Sequence, residues 1–148
     1  MSDTVRVALA YTKLASILVS VVGAIGVYGH LRCRYQFVDP LSTKLHVWDL
    51  DGWSVTHFVL FAIVGFTFPG LHLGTLAFLC GVIWELIEHW MGRQRPSWLG
   101  GWGDCQAAEF EKHNANWWFG RYSDILMNLL GLAVGNVGRQ LLTSTKNN

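Results

Sequence analysis

The chain has 148 residues, enough for one domain of ordinary size and too few for two. Hydrophobic residues make up 51% and charged residues only 14%, against roughly 25% charged residues in soluble globular proteins. This composition predicts an all-α, polytopic membrane protein that forms a single membrane domain over residues 1–148, with its core in 49–138. The net charge of +1, without a basic run, argues against nucleic acid as a partner.

The first apolar run extends from Val7 to Tyr28 and predicts a membrane helix of roughly 20 residues. Lys13 is its one charged residue, and the small residues Gly23 and Gly26 would let another helix approach closely. A secretory signal peptide is the competing interpretation. The length of the run and the lack of a clear small-x-small cleavage site disfavour it.

Two more apolar runs follow a polar loop. The second run, 53–68, breaks at Pro69-Gly70, and the third run, 73–90, begins almost at once, so the two helices must form an antiparallel hairpin. At 1.5 Å per residue the second helix spans only about 24 Å, which suits a small tilt or a thin bilayer.

A polar segment rich in tryptophan, 91–122, precedes a fourth apolar run at 124–142. Tryptophan is typical of segments at the headgroup level of a membrane, so we expect an interfacial segment between helices 3 and 4 of an antiparallel bundle of about four transmembrane helices. The expected location is integral and multi-pass, in an endoplasmic-reticulum-like membrane if the source is eukaryotic or viral. The positive-inside rule places the first and third loops in the cytosol, because they hold seven of the eleven Lys and Arg residues: Arg32, Arg34, Lys44, Arg93, Arg95, Lys112 and Arg121.

The three cysteines, at positions 33, 80 and 105, show neither the spacing of a zinc site nor the even count of a disulfide framework. We expect free thiols. A bridge between Cys33 and Cys105 is the alternative if their loops face an oxidising compartment.

The most informative residues are polar ones inside the predicted helices. Glu85 and Glu88 lie near the end of the third helix, and a carboxylate inside a membrane helix is rarely present without a partner. His57 lies one turn inside the second helix, whereas Asp124 and Asn128 open the fourth. The hairpin topology puts all five at similar depth beneath one membrane face, and spacings of three and four residues align side chains on one helix face. The sequence therefore predicts a polar pocket.

An oxygen-rich site suits a hard cation such as Ca²⁺ or Mg²⁺. A di-iron site would need a paired Glu-x-x-His, which the chain lacks. The alternative is a structural network in which Glu88 pairs with Arg121 or Arg93 and Asp124 caps the fourth helix. For His57, a hydrogen-bonded intramembrane histidine is as consistent with the sequence as a catalytic base.

Read in order, three segments match a family pattern. Asp51-x5-His57-Phe58, Trp84-Glu-Leu-x-Glu88 and Trp117-Trp118-x5-Asp124-Ile-Leu, followed by Asn and glycines, resemble the base-exchange phosphatidylserine synthases over roughly residues 49–138. The chain departs from the family pattern in three ways. The family's Glu just before Trp-Trp has no counterpart beyond the offset Glu109 and Glu111. Phe119 stands where the family has Asp, and Asn128 follows Asp124 by four residues rather than five.

This resemblance implies calcium-dependent exchange of a phospholipid head group, in which L-serine replaces the choline or ethanolamine of phosphatidylcholine or phosphatidylethanolamine. It implies that His57 activates the serine hydroxyl and that the Ca²⁺ ligands are Glu85, Glu88, Asp124 and Asn128. Glu85 and Asp124 would join His57 in catalysis, and the expected substrate-binding residues are Asp51, Arg121 and Trp118. Because a diester exchange is nearly isoenergetic, no nucleotide is needed, in agreement with the absence of a phosphate-cradling Gly-x4-Gly-Lys motif.

VanZ-like membrane proteins are a second resemblance. Their short motif is matched by Arg121-x2-Asp124-x3-Asn128-x2-Gly131, and the spacing of four fits it better. That family implies a helical membrane fold and a non-catalytic, lipid-interacting protein. A small channel, transporter or assembly factor is a third alternative. A transporter would have to form a homo-oligomer, since four helices leave a monomer little room for alternating access.

Overall fold

The computed structural model describes residues 2–35, 37, 39–45, 50–68, 70–94, 118 and 120–145. Within these residues the protein is all-helical, without strands. The four α-helices are α1 (Asp3–Tyr35), α2 (Gly52–Thr67), α3 (Leu71–Gln94) and α4 (Tyr122–Thr145), and a short 3₁₀ turn covers Pro40–Ser42. Each α-helix coincides with a predicted apolar run, so the all-α prediction is confirmed. The predicted interfacial segment lies almost entirely outside the described residues, as does the Cys33–Cys105 pairing; Cys80 is a free thiol.

Three of these helices are long and apolar enough to cross a membrane: α1 over Asp3–Arg32, α3 and α4. The 24 residues of α3 and of α4 extend about 36 Å, more than the hydrocarbon thickness of a bilayer. The 16 residues of α2 extend about 24 Å, as its apolar run predicts. These lengths and compositions indicate an integral membrane protein.

The hairpin between α2 and α3 depends on one glycine. Gly70 has a φ of 105°, in the left-handed region that a residue with a Cβ rarely adopts. It directly precedes α3, which begins at Leu71, so the chain reverses within a few residues of the end of α2 at Thr67.

Glycines bring α2 and α4 into close contact. A Cβ on Gly131 would overlap the Phe58 carbonyl oxygen, and one on Gly135 would overlap the Ala62 carbonyl oxygen. On α2, a Cβ on Gly65 would lie 2.6 Å from the Leu132 carbonyl oxygen. Residue numbers rise together along both helices at these contacts, so α2 and α4 run parallel. Small residues four apart permit this close crossing of backbones.

The helix α3 runs antiparallel to α2 and α4 and approaches both of them at Gly81. A Cβ on Gly81 would lie 2.7 Å from the ring of Phe61 on α2 and 2.8 Å from the amide nitrogen of Asn128 on α4. One turn later on α3, Glu85 reaches the level of His57, closer to the start of α2. This register places the end of α3 beside the beginnings of α2 and α4.

The helix α1 packs closely with the other helices at only part of its length. Leu14 is buried in a core that includes Phe61, Leu73 and Ala77. At Gly23, however, a Cβ would meet no other atom within 4 Å. Among the described residues nothing packs against this position, and the close helix approach that Gly23 and Gly26 would permit stays a prediction.

One buried carboxylate joins the end of α1 to the start of α2. Asp39 accepts hydrogen bonds from the Tyr28 hydroxyl at 2.9 Å and the Trp53 indole N–H at 2.7 Å. The Ser42 hydroxyl and the Leu41 backbone N–H donate to it at 2.8 and 2.9 Å. Burial acts to raise the pKa of Asp39, but these four donors outweigh it and lower that pKa below its ordinary value.

Candidate functional site

His57, Glu85 and Asp124 meet at one point, each from a different helix. One potential ligand atom of each side chain lies within 4.8 Å of the others. Glu85 is 2% exposed and Asp124 5%, while His57 is partly buried. Residues up to 67 positions apart in the sequence thus form one cluster, because α2 and α4 begin at the end of the bundle where α3 finishes.

Asn128 orients the imidazole of His57. The Oδ1 atom of Asn128 lies 3.0 Å from Nδ1 of His57, and Asn128 is fully buried. An amide oxygen accepts, so this arrangement corresponds to the tautomer in which His57 donates from Nδ1 and the neutral ring has its lone pair on Nε2. That Nε2 atom faces Oε1 of Glu85 at 3.5 Å. Glu85, a predicted metal ligand, therefore approaches His57 with Oε1, the oxygen that would also bind a metal.

Glu85 has one occupied oxygen and one available oxygen. The backbone N–H of Arg121 donates to its Oε2 at 2.9 Å. This contact requires a close approach of the chain before α4, since a Cβ on Gly120 would overlap the Glu85 carbonyl oxygen. The Oε1 atom is buried and accepts no hydrogen bond from any residue that the structure describes. A buried carboxylate oxygen in that condition suits a cation or a protonated ligand.

A hydrogen-bonded chain connects the start of α2 to the start of α4. Asp51 caps α2 by accepting from the Ser54 backbone N–H at 3.0 Å, and it forms an ion pair with the Arg121 guanidinium. The Ser54 hydroxyl lies 2.5 Å from Oδ1 of Asp124. Ser54 is fully buried, and sequence reasoning missed it. Its position three residues after a capping Asp signals a helix start but does not indicate a contact with Asp124.

These groups surround a small polar pocket. It encloses about 40 Å³, enough for a cation or about one water molecule. His57, Asp124 and Glu88 line it, and Glu88 is less buried than Glu85 and lies outside the cluster of three ligand atoms. The lining residues that sequence reasoning missed come mainly from the end of α1 and the loop after it: Ile25, Arg32, Asp39, Ser42 and Trp53.

Trp118 lies in the packing around the pocket. It is 7% exposed, packs in a cluster with Met91, and meets the ring of Trp84 edge to face with centroids 6.2 Å apart. Trp118 is not among the described residues that line the pocket. Its expected contact with substrate stays a prediction, and its neighbour Trp117 lies outside the described residues.

The donor set is compatible with a divalent cation. Two carboxylate oxygens and one imidazole nitrogen lie within 4.8 Å of one another, close enough to share one cation. Glu85 Oε1 and the carboxylate of Asp124 supply hard oxygen ligands, and Glu88 lines the same pocket. The alternative pairing of Glu88 with Arg121 competes with an observed one, because Arg121 pairs with Asp51.

Comparisons with family models, with curated proteins and with solved structures find no match to this chain.

Proposed function

We propose that this chain is a multi-pass membrane enzyme that exchanges phospholipid head groups with the help of a hard divalent cation, Ca²⁺ by resemblance. The hydroxyl of a small alcohol, L-serine by the same resemblance, would attack the phosphodiester of phosphatidylcholine or phosphatidylethanolamine. The observation that carries the proposal is the buried cluster of His57, Glu85 and Asp124. In it, Oε1 of Glu85 lies 3.5 Å from Nε2 of His57 and accepts no hydrogen bond from the described residues.

Glu85 and Asp124 would hold the cation, with Glu88 as a further ligand from the pocket wall. A bound cation supplies electrostatic stabilisation for the charge that develops on the phosphoryl oxygens. Asn128, proposed from the sequence as a fourth ligand, is better suited to positioning His57, because its Oδ1 atom already accepts from Nδ1. Such an outer contact is typical of histidines whose other nitrogen does the chemistry.

His57 would act as the base through Nε2. In the exchange, the serine oxygen forms a bond to phosphorus, and the bond between phosphorus and the choline or ethanolamine oxygen breaks. The serine hydroxyl proton passes to Nε2 and then to the departing alcohol, so atoms and charges balance without an additional reactant. Asn128 would stabilise the imidazolium in the interval by holding the Nδ1 proton.

Arg121 would bind the phosphodiester. Its guanidinium lines the pocket while pairing with Asp51, and its backbone N–H holds Glu85. Arg121 would thus bind the phosphodiester with its side chain and hold the cation-binding carboxylate of Glu85 with its backbone N–H. Arginine suits this role because its planar donors match the geometry of phosphate oxygens.

The test is incorporation of labelled L-serine into lipid by purified protein in vesicles of phosphatidylcholine and phosphatidylethanolamine, with Ca²⁺ and with a chelator. We expect labelling that needs Ca²⁺ and that is abolished by Glu85→Gln and by His57→Ala. His72→Ala is the matched control, because His72 is an exposed histidine on α3 whose ring lies near Tyr11.

Retained folding has to be shown for each variant by its elution in detergent and its thermal unfolding. Full activity in Glu85→Gln or His57→Ala would contradict the role given to that residue. Folded wild-type protein that exchanges neither serine nor ethanolamine, with or without Ca²⁺, would overturn the proposal and favour the non-catalytic, VanZ-like interpretation.

A further inference from the structure

A large apolar cavity lies between α1, α2 and α3. It is a groove open to the outside of the bundle, since its lining residues Ile63 and Ile83 are each 54% exposed. Its volume is about 700 Å³, within the range of roughly 300–1,000 Å³ of small-molecule sites. On α1 its lining includes Leu18, Ile25 and Tyr28. Its walls are mainly aliphatic and aromatic and include Leu18, Val22, Val59, Ile63, Cys80 and Ile83.

This cavity adjoins the polar pocket. Ile25, Trp53 and His57 line both spaces, so the imidazole proposed as the base stands at the boundary between them. The acids and arginines lie on one side of His57, and the apolar walls lie on the other. A ligand that reaches across this boundary needs a charged end and an apolar end.

The cavity extends along the helices in the direction away from the polar pocket. On α2 its lining continues from His57 to Ile63, about 9 Å of helix rise. On α1 it continues from Tyr28 back to Leu18, about 15 Å. The polar pocket is at the end of the bundle where α2 and α4 begin, so the cavity points into the membrane-spanning part of the protein. An elongated apolar chain parallel to the helices fits this shape.

We propose that the cavity between α1, α2 and α3 binds one acyl chain of a glycerophospholipid, and that His57 contacts the phosphodiester of the same molecule. The identification of this lipid as the substrate rests on the proposed function. The 40 Å³ pocket is too small for a complete head group and is sized for a cation. The phosphodiester therefore lies where the two spaces meet, with Arg121 and the acids on one side and the acyl chain on the other.

Photo-crosslinking tests the position of the chain independently of turnover. Wild-type protein and the Glu85→Gln variant are reconstituted in phosphatidylcholine vesicles containing a phosphatidylcholine with a diazirine in the middle of one acyl chain. After illumination, peptide mapping locates the labelled residues. We expect labels concentrated on the cavity-lining residues of α1, α2 and α3 in both proteins, in excess over the outer face of α4.

Two tryptophan variants of equal starting exposure provide the control. Ile63 lines the cavity and Val134 lies on α4 outside it, and both are 54% exposed. Ile63→Trp should fill part of the cavity and lower the cavity labelling several-fold, whereas Val134→Trp should leave it unchanged. In the serine-exchange assay, Ile63→Trp should also lower kcat/KM for long-chain relative to short-chain lipids, and Val134→Trp should not.

The outcomes separate this inference from the proposed function. Equal labelling of the cavity and of the Val134 face, unchanged by Ile63→Trp, would overturn the inference even in an active enzyme. The opposite case is wild-type protein whose cavity is labelled but which has no exchange activity. If Ile63→Trp then removes the labelling, the acyl-chain site is supported and the proposed function is contradicted.

Discussion

The Nδ1 atom of His57 and the Oδ1 atom of Asn128 lie 3.0 Å apart, although 71 positions separate the two residues. In the tautomer that donates from Nδ1, the contact leaves Nε2 available to a ligand. It also connects the α2 and α4 helices at the level of the buried acids. The role of His57 in the proposed reaction therefore depends on a residue that need not touch the substrate.

We expect Asn128→Ala to lower exchange activity by about 10- to 100-fold, in the range reported for lost outer contacts of functional histidines. Asn128→Asp should retain more activity, because its carboxylate can still accept from Nδ1. The matched control is Asn136→Ala on the same helix, since Asn136 bonds the Leu132 carbonyl and the Arg139 guanidinium instead. The pH profile of activity is the informative readout, because loss of the Nδ1 contact should shift the limb assigned to His57. An unchanged profile in Asn128→Ala would contradict this role.

Glu85 and Glu88 should differ in metal binding. Glu85 belongs to the cluster of three ligand atoms, whereas Glu88 only lines the pocket. A cation that binds the folded state raises the thermal unfolding temperature. We expect Ca²⁺ to raise it in wild-type protein, to have no effect in Glu85→Gln, and to have a reduced effect in Glu88→Gln. The same shift in all three proteins would place the cation elsewhere.

The packing of α2 against α4 makes a prediction about two glycines one turn apart. A Cβ on Gly135 would overlap the Ala62 carbonyl oxygen, whereas a Cβ on Gly138 would lie 3.8 Å from the Phe66 ring, an ordinary contact. We expect Gly135→Ala to lower the free energy of unfolding by about 1–3 kcal/mol, as overpacking usually does. It should also lower activity, since the same crossing positions Asn128 and Asp124.

Gly138→Ala is the control and should be nearly silent in both assays. The measurement is unfolding in detergent by increasing denaturant, followed by circular dichroism. Equal losses in the two variants would contradict the role of the close backbone contact at Gly135, because the higher helix propensity of Ala would by itself stabilise both.

Asp39 should make the free energy of unfolding fall at acidic pH. Its folded-state pKa lies below the ordinary value of 3.8, so the unfolded chain binds the proton more readily. The stability it contributes is therefore fully present above that ordinary value and is lost as the pH falls through the lower folded-state pKa. The measurement is thermal unfolding in detergent at a series of pH values from about 6 down to about 2, which spans both pKa values.

Asp39→Asn should remove part of this acid dependence. It should also lower the free energy of unfolding near neutral pH by about 3 kcal/mol, because the new amide N–H₂ would face two donors, the Ser42 hydroxyl and the Trp53 indole N–H. Asp3→Asn is the control, since Asp3 is exposed in the first turn of α1. An acid limb as steep in Asp39→Asn as in the wild type would assign the transition to other carboxyl groups.

The positions of the helices could be predicted from the sequence because they follow from local hydrophobicity. The run at 73–90 lies inside α3 at Leu71–Gln94, and the run at 124–142 lies inside α4 at Tyr122–Thr145. Helix boundaries of this kind depend on nearby residues and on punctuation such as Pro69-Gly70. The expectation that His57, Glu85 and Asp124 lie at one depth likewise needed only the order and lengths of the helices.

The tertiary structure alone decided how the polar atoms pair. The sequence did not indicate the contact between the Asn128 oxygen and His57, or the pairing of Arg121 with Asp51. Ser54 and Asp39 gave only turn or cap signals, although each bonds a residue on another element. The sequence by itself determined which segments form apolar helices, because that depends on the hydrophobicity and length of each local run of residues. Atom-to-atom contacts depend instead on the angle and separation at which helices cross, which glycines such as Gly81 and Gly135 permit only once the neighbouring helices are in place.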